Sequence, residues 1–512
     1  MRSVIDNQEF ARLVSRRAKV LLSISRHLAG QESNADFFLR PLIGDLLSHS
    51  TQIEEYLDTY GTKNNNQWSP FRSTVATIKN FSEINYELLN IHHGLPAHRF
   101  LYISQDFLEA TDSAIDFVID ILLKSMRRLL QQAGVLCLSV TEETFDVTKY
   151  FEELPLGKLA ADHSSHQVDK VPITATKLST AFLNLEKDSE LVNLYDQIKH
   201  QRDIYPYLTI LNEENLRIFE FRFHNLQSLY DTHLSESNAE SIDADMKILR
   251  SDIGIIFHLL KIATVLTHYF ERHLALIEND HAELGRQLVD PEMLLEMLKD
   301  YCANFVSQYL VSGKDLCQGL LDRYSEIGQI EVNIPRYRGF HVRPSTLISA
   351  LVLHYGSSVT MEFESRSYDA SKPLDIFRVN EKINAQKRRW LAIEIVRLRL
   401  VQEKDSSRSI NEIVKGIVLV LSEESKLVIY EKPLDLLLKD SEKEGTLLER
   451  VMDEISQLQV TGKIDIDVDL KVRFIGDNRV LADIQVLAET GYGEDQLGNN
   501  IPLPAKLAFL RK

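Results

Sequence analysis

Apolar residues recur every three or four positions through most of the first 325 residues. Over 107–130, Phe107, Ala114, Ile115, Val118, Leu122, Met126 and Leu129 fall on one face of a helix. The same spacing predicts helices over about 7–28, 36–59, 70–92, 176–200, 207–235, 241–277 and 291–324, and short connections imply antiparallel neighbours. Between Thr141 and Thr174 the period fades into "LPLGKLAADHSSHQVDKVPIT", which mixes Pro, Gly, Ser and charge as loops do. The pattern therefore predicts a helical bundle over 1–140, a linker over 141–174 and a second bundle over 175–328.

From about Ile330 the texture changes. "IEVNI" alternates, a helical run follows Pro344, and "SVTMEF" sets Val359, Met361 and Phe363 on one face of a strand. Near the end, "KIDIDVDLKVRF" alternates Ile464, Ile466, Val468, Leu470, Val472 and Phe474, and "GDN" leads into "RVLADIQVL". That grammar predicts a β-hairpin. The expected class is mainly α in the N-terminal bundles and α+β in the C-terminal half.

Composition narrows the function. With 75 acids against 58 bases, the net charge of −17 argues against nucleic-acid binding, which needs clustered Lys and Arg. The most apolar window, Ile253–Phe270, carries His258, Lys261 and His268, so it is expected to be a buried bundle helix and not a membrane insertion. The N-terminus mixes charges through its apolar positions, unlike a signal peptide. Cys137, Cys302 and Cys317 form no C-x-x-C pair, which fits a reducing cytoplasm better than a disulfide framework or a cysteine zinc site.

Against this acidic background, "RYRGFHVRPST" (336–346) holds three arginines and a histidine with no carboxylate. Pro344 suits the first turn of a helix that continues through Leu347, Ile348, Leu351 and Val352, so His341 is expected at the helix start. There, unpaired backbone N–H groups and the helix dipole favour an anion. Gly339 permits a sharp turn or close approach, Arg343 can reach phosphoryl oxygens, and a neutral imidazole is nucleophilic near pH 7. These residues predict a phosphohistidine site that needs no cofactor and no metal.

The order of "IEVNI", "GFHVRPST", a helix, "GSSVTMEF" and "SYDASKPLDIF" resembles HPr, the histidine-containing phosphocarrier of the phosphoenolpyruvate-dependent phosphotransferase system, over 330–376. The resemblance implies an open-faced β-sandwich with helices on one sheet face. It implies that His341 accepts phosphate from an Enzyme I-like donor and passes it to an acceptor the sequence does not name. Arg343 would stabilise the phosphoryl group, Pro344 would start the helix, and Gly339 and Ser345 would support the motif. Phe340 stands where a smaller aliphatic residue is usual, Val342 where a small residue is usual, and Lys372, after Ser371, where a regulatory serine is usual. The expected HPr-like domain spans 329–460 with a helical insertion at about 380–424, and 461–512 is a β-hairpin extension.

Arg336, Arg338 and Leu347 are candidates for partner contact, the arginines by steering an acidic partner or as solvated strand-end charges. His92, His93 and His98 in "IHHGLPAH" fit a helix-ending loop better than a metal site, and His258, His268 and His273 fit bundle histidines. "YFEELPLGK" and "GYGEDQLGNN" are turns without nucleotide-loop grammar. The expected function is a phosphocarrier or phosphorylation-dependent regulator rather than a stand-alone enzyme. The alternative is a scaffold whose HPr-like domain takes no phosphate.

Overall fold

The computed structural model describes residues 4–30, 38–94, 104–138, 145–151, 171–201, 204–234, 239–274, 287–401, 409–431 and 445–511. They fall into two compact units, Met1–Leu320 and Leu321–Lys512.

The first unit is helical: α1 (Asn7–Arg17), α2 (Lys19–Ala29), α3 (Arg40–Thr59), α4 (Ser69–Gly94), α5 (Ser104–Val135), α6 (Val171–Ser189), α7 (Leu191–Ile198), α8 (Glu213–His233), α9 (Ala239–Ile242), α10 (Ala244–Tyr269), α11 (Pro291–Glu296) and α12 (Asn304–Tyr324), which runs on into the second unit. The predicted helices are therefore present, but the expected division into two bundles is not. Helices from either side of the expected linker share one core. Thr77 Oγ1 on α4 meets Tyr269 Oη on α10 at 3.0 Å, and Thr111 Oγ1 on α5 meets Tyr301 Oη at 3.1 Å. Glu87, 5% exposed, is held by His258 Nδ1 and Lys261 Nζ, each at 2.6 Å. The composition of 141–174 therefore does not mark where a core ends. The segment Ala244–Leu274 is long and apolar enough to cross a membrane, yet 72% of its apolar window is buried inside the protein.

The second unit runs β1 (Ile327–Asn333), α13 (Val342–Tyr355), β2 (Val359–Phe363), β3 (Arg366–Asp369), α14 (Pro373–Arg397), α15 (Ile410–Glu423), β4 (Leu427–Ile429), α16 (Leu447–Val460), β5 (Ile464–Ile466), β6 (Lys471–Asp477) and α17 (Asn478–Glu489). The expected α+β character is present as a small antiparallel sheet in the order β1-β6-β2-β3. Val332, Val359, Met361, Phe363, Val472 and Phe474 point from it into a core shared with Phe340, Ile348, Val352, Ile376, Ile383 and Ile484. On β1, β6 and β2, Glu331, Arg473 and Glu362 sit in register and form a partly exposed charge ladder, with contacts of 3.0 and 3.8 Å.

Three expectations are corrected here. "RVLADIQVL" is helix, not the second arm of a hairpin: Val480, Leu481, Ile484 and Leu487 are buried at helical spacing, and Asp477 caps Arg479 N at 2.9 Å. The alternating run before it is split between two sheets. Ile464–Ile466 pairs with β4, whereas 471–477 enters the four-stranded sheet between β1 and β2. The C-terminal segment is thus integral to the core and is no extension. The inserted body is also larger and later than 380–424, because Leu391, Ile395, Val414, Ile417, Val418, Leu421, Val451, Ile455, Ile464 and Ile466 make a separate core.

Candidate functional site

The sequence 334–341 leaves β1 and reaches the start of α13 through two consecutive left-handed residues, Arg338 (φ 53°) and Gly339 (φ 61°). Asn380, buried on α14, locks this turn. Its Nδ2 donates to Arg338 O at 3.0 Å, and its Oδ1 accepts from Phe340 N at 2.9 Å. A Cβ at position 339 would run into Asn380 Oδ1, so the glycine is required for both its backbone angle and its lack of a side chain. Phe340 is fully buried and meets Tyr492 edge-on at 5.7 Å. The bulky residue in the motif is a core anchor.

His341 caps α13 with extended backbone (φ −73°, ψ −168°), and Ser345 N donates to its carbonyl at 3.2 Å. Pro344 is buried in the first turn, as expected for a helix start. Ser345 is buried too, and its hydroxyl donates to Phe340 O at 2.9 Å, so it braces the turn from inside. Val342, by contrast, is 74% exposed, and the ring of His341 is covered from elsewhere.

That cover is the segment 490–503. Gly491, Tyr492 and Gly493 are consecutive left-handed residues, and the Tyr492 hydroxyl donates to Asn333 O at 2.7 Å. Glu494 N donates to Gly491 O at 3.1 Å and Ile501 N to Gly493 O at 3.0 Å. Asp495 closes the following turn by accepting from Leu497 N and Asn499 N, each at 2.8 Å. The outcome is that Glu494, with its side chain 7% exposed, lies with Oε2 3.2 Å from His341 Nε2 and Oε1 3.8 Å from Arg343 Nε. Neither contact has hydrogen-bond geometry. Glu494 Oε2, Arg343 Nε and His341 Nδ1 are all buried without a hydrogen-bond partner among the described residues.

Tyr337 stands edge-on to the imidazole at 5.4 Å and to Tyr430, just after β4, at 4.8 Å. Arg338 is half-buried, its guanidinium packed against Gly462 in the turn before β5. It is therefore not a solvated strand-end charge. Arg336 is exposed, and its carbonyl accepts from the Tyr430 hydroxyl at 3.4 Å. Leu347 is half-buried against the core beneath Gly493. Of the expected site residues, His341, Arg343, Pro344, Ser345 and Gly339 converge, while Arg336 is exposed.

Burial pushes the His341 imidazole below its ordinary value, and the positive charge of Arg338 adds to that. Burial pushes the Glu494 carboxyl upward, opposed by Arg343 and reinforced by Asp495. A charged His–Glu pair would move both the other way. Desolvation prevails because the contact makes no hydrogen bond to repay it. Both shifts favour the neutral form of each group.

At the second motif, Ser371 donates to Asp369 Oδ1 from both its amide (2.9 Å) and hydroxyl (2.7 Å), and Lys372 caps α14. Sequence reasoning missed Asn380, Tyr430 and Glu494. Glu494 lies in "GYGEDQLGNN", whose glycines signalled a turn but not which residue it would aim at His341.

The other expected histidines are in ordinary bundle roles. His258 pairs with Glu87, His268 Nδ1 lies 2.9 Å from Glu213, and His273 stacks on Tyr269, where burial lowers its pKa to about 3. His92 is 3.4 Å from Asp112 at the end of α4; His98 lies outside the described residues, as does most of "YFEELPLGK". Among the described residues no group of His, Cys, Asp and Glu is arranged to hold a metal ion. No protein-family model, curated protein or solved structure matches this chain.

Proposed function

We propose that the second unit is an HPr-like domain and that the chain is a phosphocarrier or phosphorylation-dependent regulator in a phosphoenolpyruvate-dependent phosphotransferase system. His341 takes the phosphoryl group from an Enzyme I-like donor. The observation that carries this reading is the placement of His341 as the N-cap of α13, two residues before the Arg343 guanidinium. The incoming group adds about −1.5 to −2 charges if it behaves as an ordinary phosphate ester, which the helix start and Arg343 are suited to receive.

The order of elements adds support. The family resemblance calls for one more strand and a final helix after the second motif, and β6 and α17 supply them once the inserted core is set aside. Helices α13, α14 and α17 contribute to one core beneath the sheet, in keeping with an open-faced sandwich.

A second reading, a scaffold that takes no phosphate, is favoured by one specific observation. Glu494 occupies the approach to Nε2, and Nδ1 is buried. Incubation with labelled phosphoenolpyruvate and Enzyme I separates the two. An acid-labile, alkali-stable label that disappears in His341→Ala is the result expected of a carrier; absence of label with every donor tried leaves the scaffold.

A further inference from the structure

The least satisfied cluster in the second unit is also the one that faces His341. Glu494 is 7% exposed, its Oε2 has no hydrogen-bond partner among the described residues, and the nearest cation, the Arg343 guanidinium, is 3.8 Å from its other oxygen. The carboxylate is not there by slack in the chain. Tyr492 is buried and tied to Asn333, Glu494 and Ile501 are tied to Gly491 and Gly493, and Leu503 joins the core. A well-packed segment thus presents an under-satisfied acid to the imidazole.

We propose that Glu494 sets the phosphoryl occupancy of His341: its carboxylate, held 3.2 Å from Nε2, opposes the phosphoryl group while charged and admits it when neutral. This rests on the reading of His341 as a phosphoryl acceptor. A phosphoryl group on Nε2 would bring its oxygens into the space between the ring, Glu494 and Arg343. A dianion and a carboxylate at such separation repel strongly in a half-dry site, and the single guanidinium must then serve both. A neutral Glu494 removes the repulsion and can donate a hydrogen bond to a phosphoryl oxygen. The loop's burial already tilts the acid toward its neutral form, and lower pH takes it further the same way.

The groups that face Glu494 or pack around this site are accounted for by element. His341 and Arg343 come from the start of α13, Tyr337 and Arg338 from the preceding turn, Asp495 from its own loop and Tyr430 from the inserted core. Asp495 is spent on its turn through Leu497 and Asn499, and Arg338 is packed on Gly462. Glu494 is left as the acid that meets the ring.

The test uses the full chain and phosphoramidate as a small phosphoryl donor. The imidazole lone pair bonds to phosphorus, the donor's P–N bond breaks with its electrons returning to nitrogen, and ammonia leaves with a proton from solvent. Labelling rates are read at pH 6, 7 and 8 for the wild type, Glu494→Gln, Glu494→Met and His341→Ala. Both Glu494 variants are expected to label about tenfold faster than wild type or more at pH 8, a one-unit electrostatic effect, and the ratio should shrink toward pH 6. The donor's own pH dependence cancels in that ratio. His341-dependent labelling at the same rate in wild type and both variants overturns the role of Glu494 alone. No His341-dependent label in any chain overturns this role and the acceptor reading together.

Discussion

At the scale of single residues, the site is governed by groups that do not react. Asn380 supplies both hydrogen bonds that hold the left-handed turn before His341. Asn380→Ala leaves the Phe340 amide and the Arg338 carbonyl buried without those partners, and should cost about 1–3 kcal/mol in a urea melt. Labelling at His341 should fall with it, because the ring is positioned by that turn; full labelling in a destabilised variant would show that the turn does not set the ring. In the first unit, Asp252 is 3% exposed, its Oδ2 lacks a partner among the described residues, and burial raises its pKa to about 8. The folded chain then keeps a proton that the unfolded chain releases near its ordinary value of 3.8. The stability from this difference is fully present below that value and is lost as pH rises toward 8, by up to about 1.4 kcal/mol per unit. Asp252→Asn should therefore gain stability relative to wild type between pH 5 and 8, and parallel melting curves would contradict this.

At the scale of elements, most of the helices were legible because amphipathic spacing survives in their sequences, and the start of α13 was legible because Pro344 and Gly339 leave few backbone choices. The last 50 residues misled for a physical reason. Alternation from Ile464 to Phe474 reflects two strands in two sheets, and a local pattern carries no information about partner. In "RVLADIQVL", Val480 and Leu481 are adjacent and both buried, which a strand facing one core cannot achieve but a helix can. The reach of the insertion was illegible because its core is closed by β5, which lies just before the returning strand. At its base, Lys387 Nζ pairs with Asp465 Oδ2 at 2.9 Å, both side chains 3% exposed. Lys387→Met leaves a buried lone charge and should lower stability by about 3–5 kcal/mol, while adding Asp465→Leu should recover most of it. Equal losses in the single and double variants would mean that the pair is replaceable by neither route.

For the whole molecule, the division into two units places His341 and the residues around it within 321–512. A chain of those residues is expected to melt cooperatively and to label at His341. A chain that melts cooperatively but does not label would assign the first unit a part in presenting the site. The inserted core reaches the site through Tyr430 against Tyr337 and Gly462 against Arg338, so its ordering bears on the turn before His341. The central claim is that this histidine carries phosphate, and site-resolved mass spectrometry of the full chain after exposure to phosphoenolpyruvate and Enzyme I, handled at alkaline pH, tests it most directly. The account predicts a phosphoryl group mapped to His341 and lost on acid treatment. An unmodified His341 under conditions that fully charge a known carrier in the same tube would contradict it.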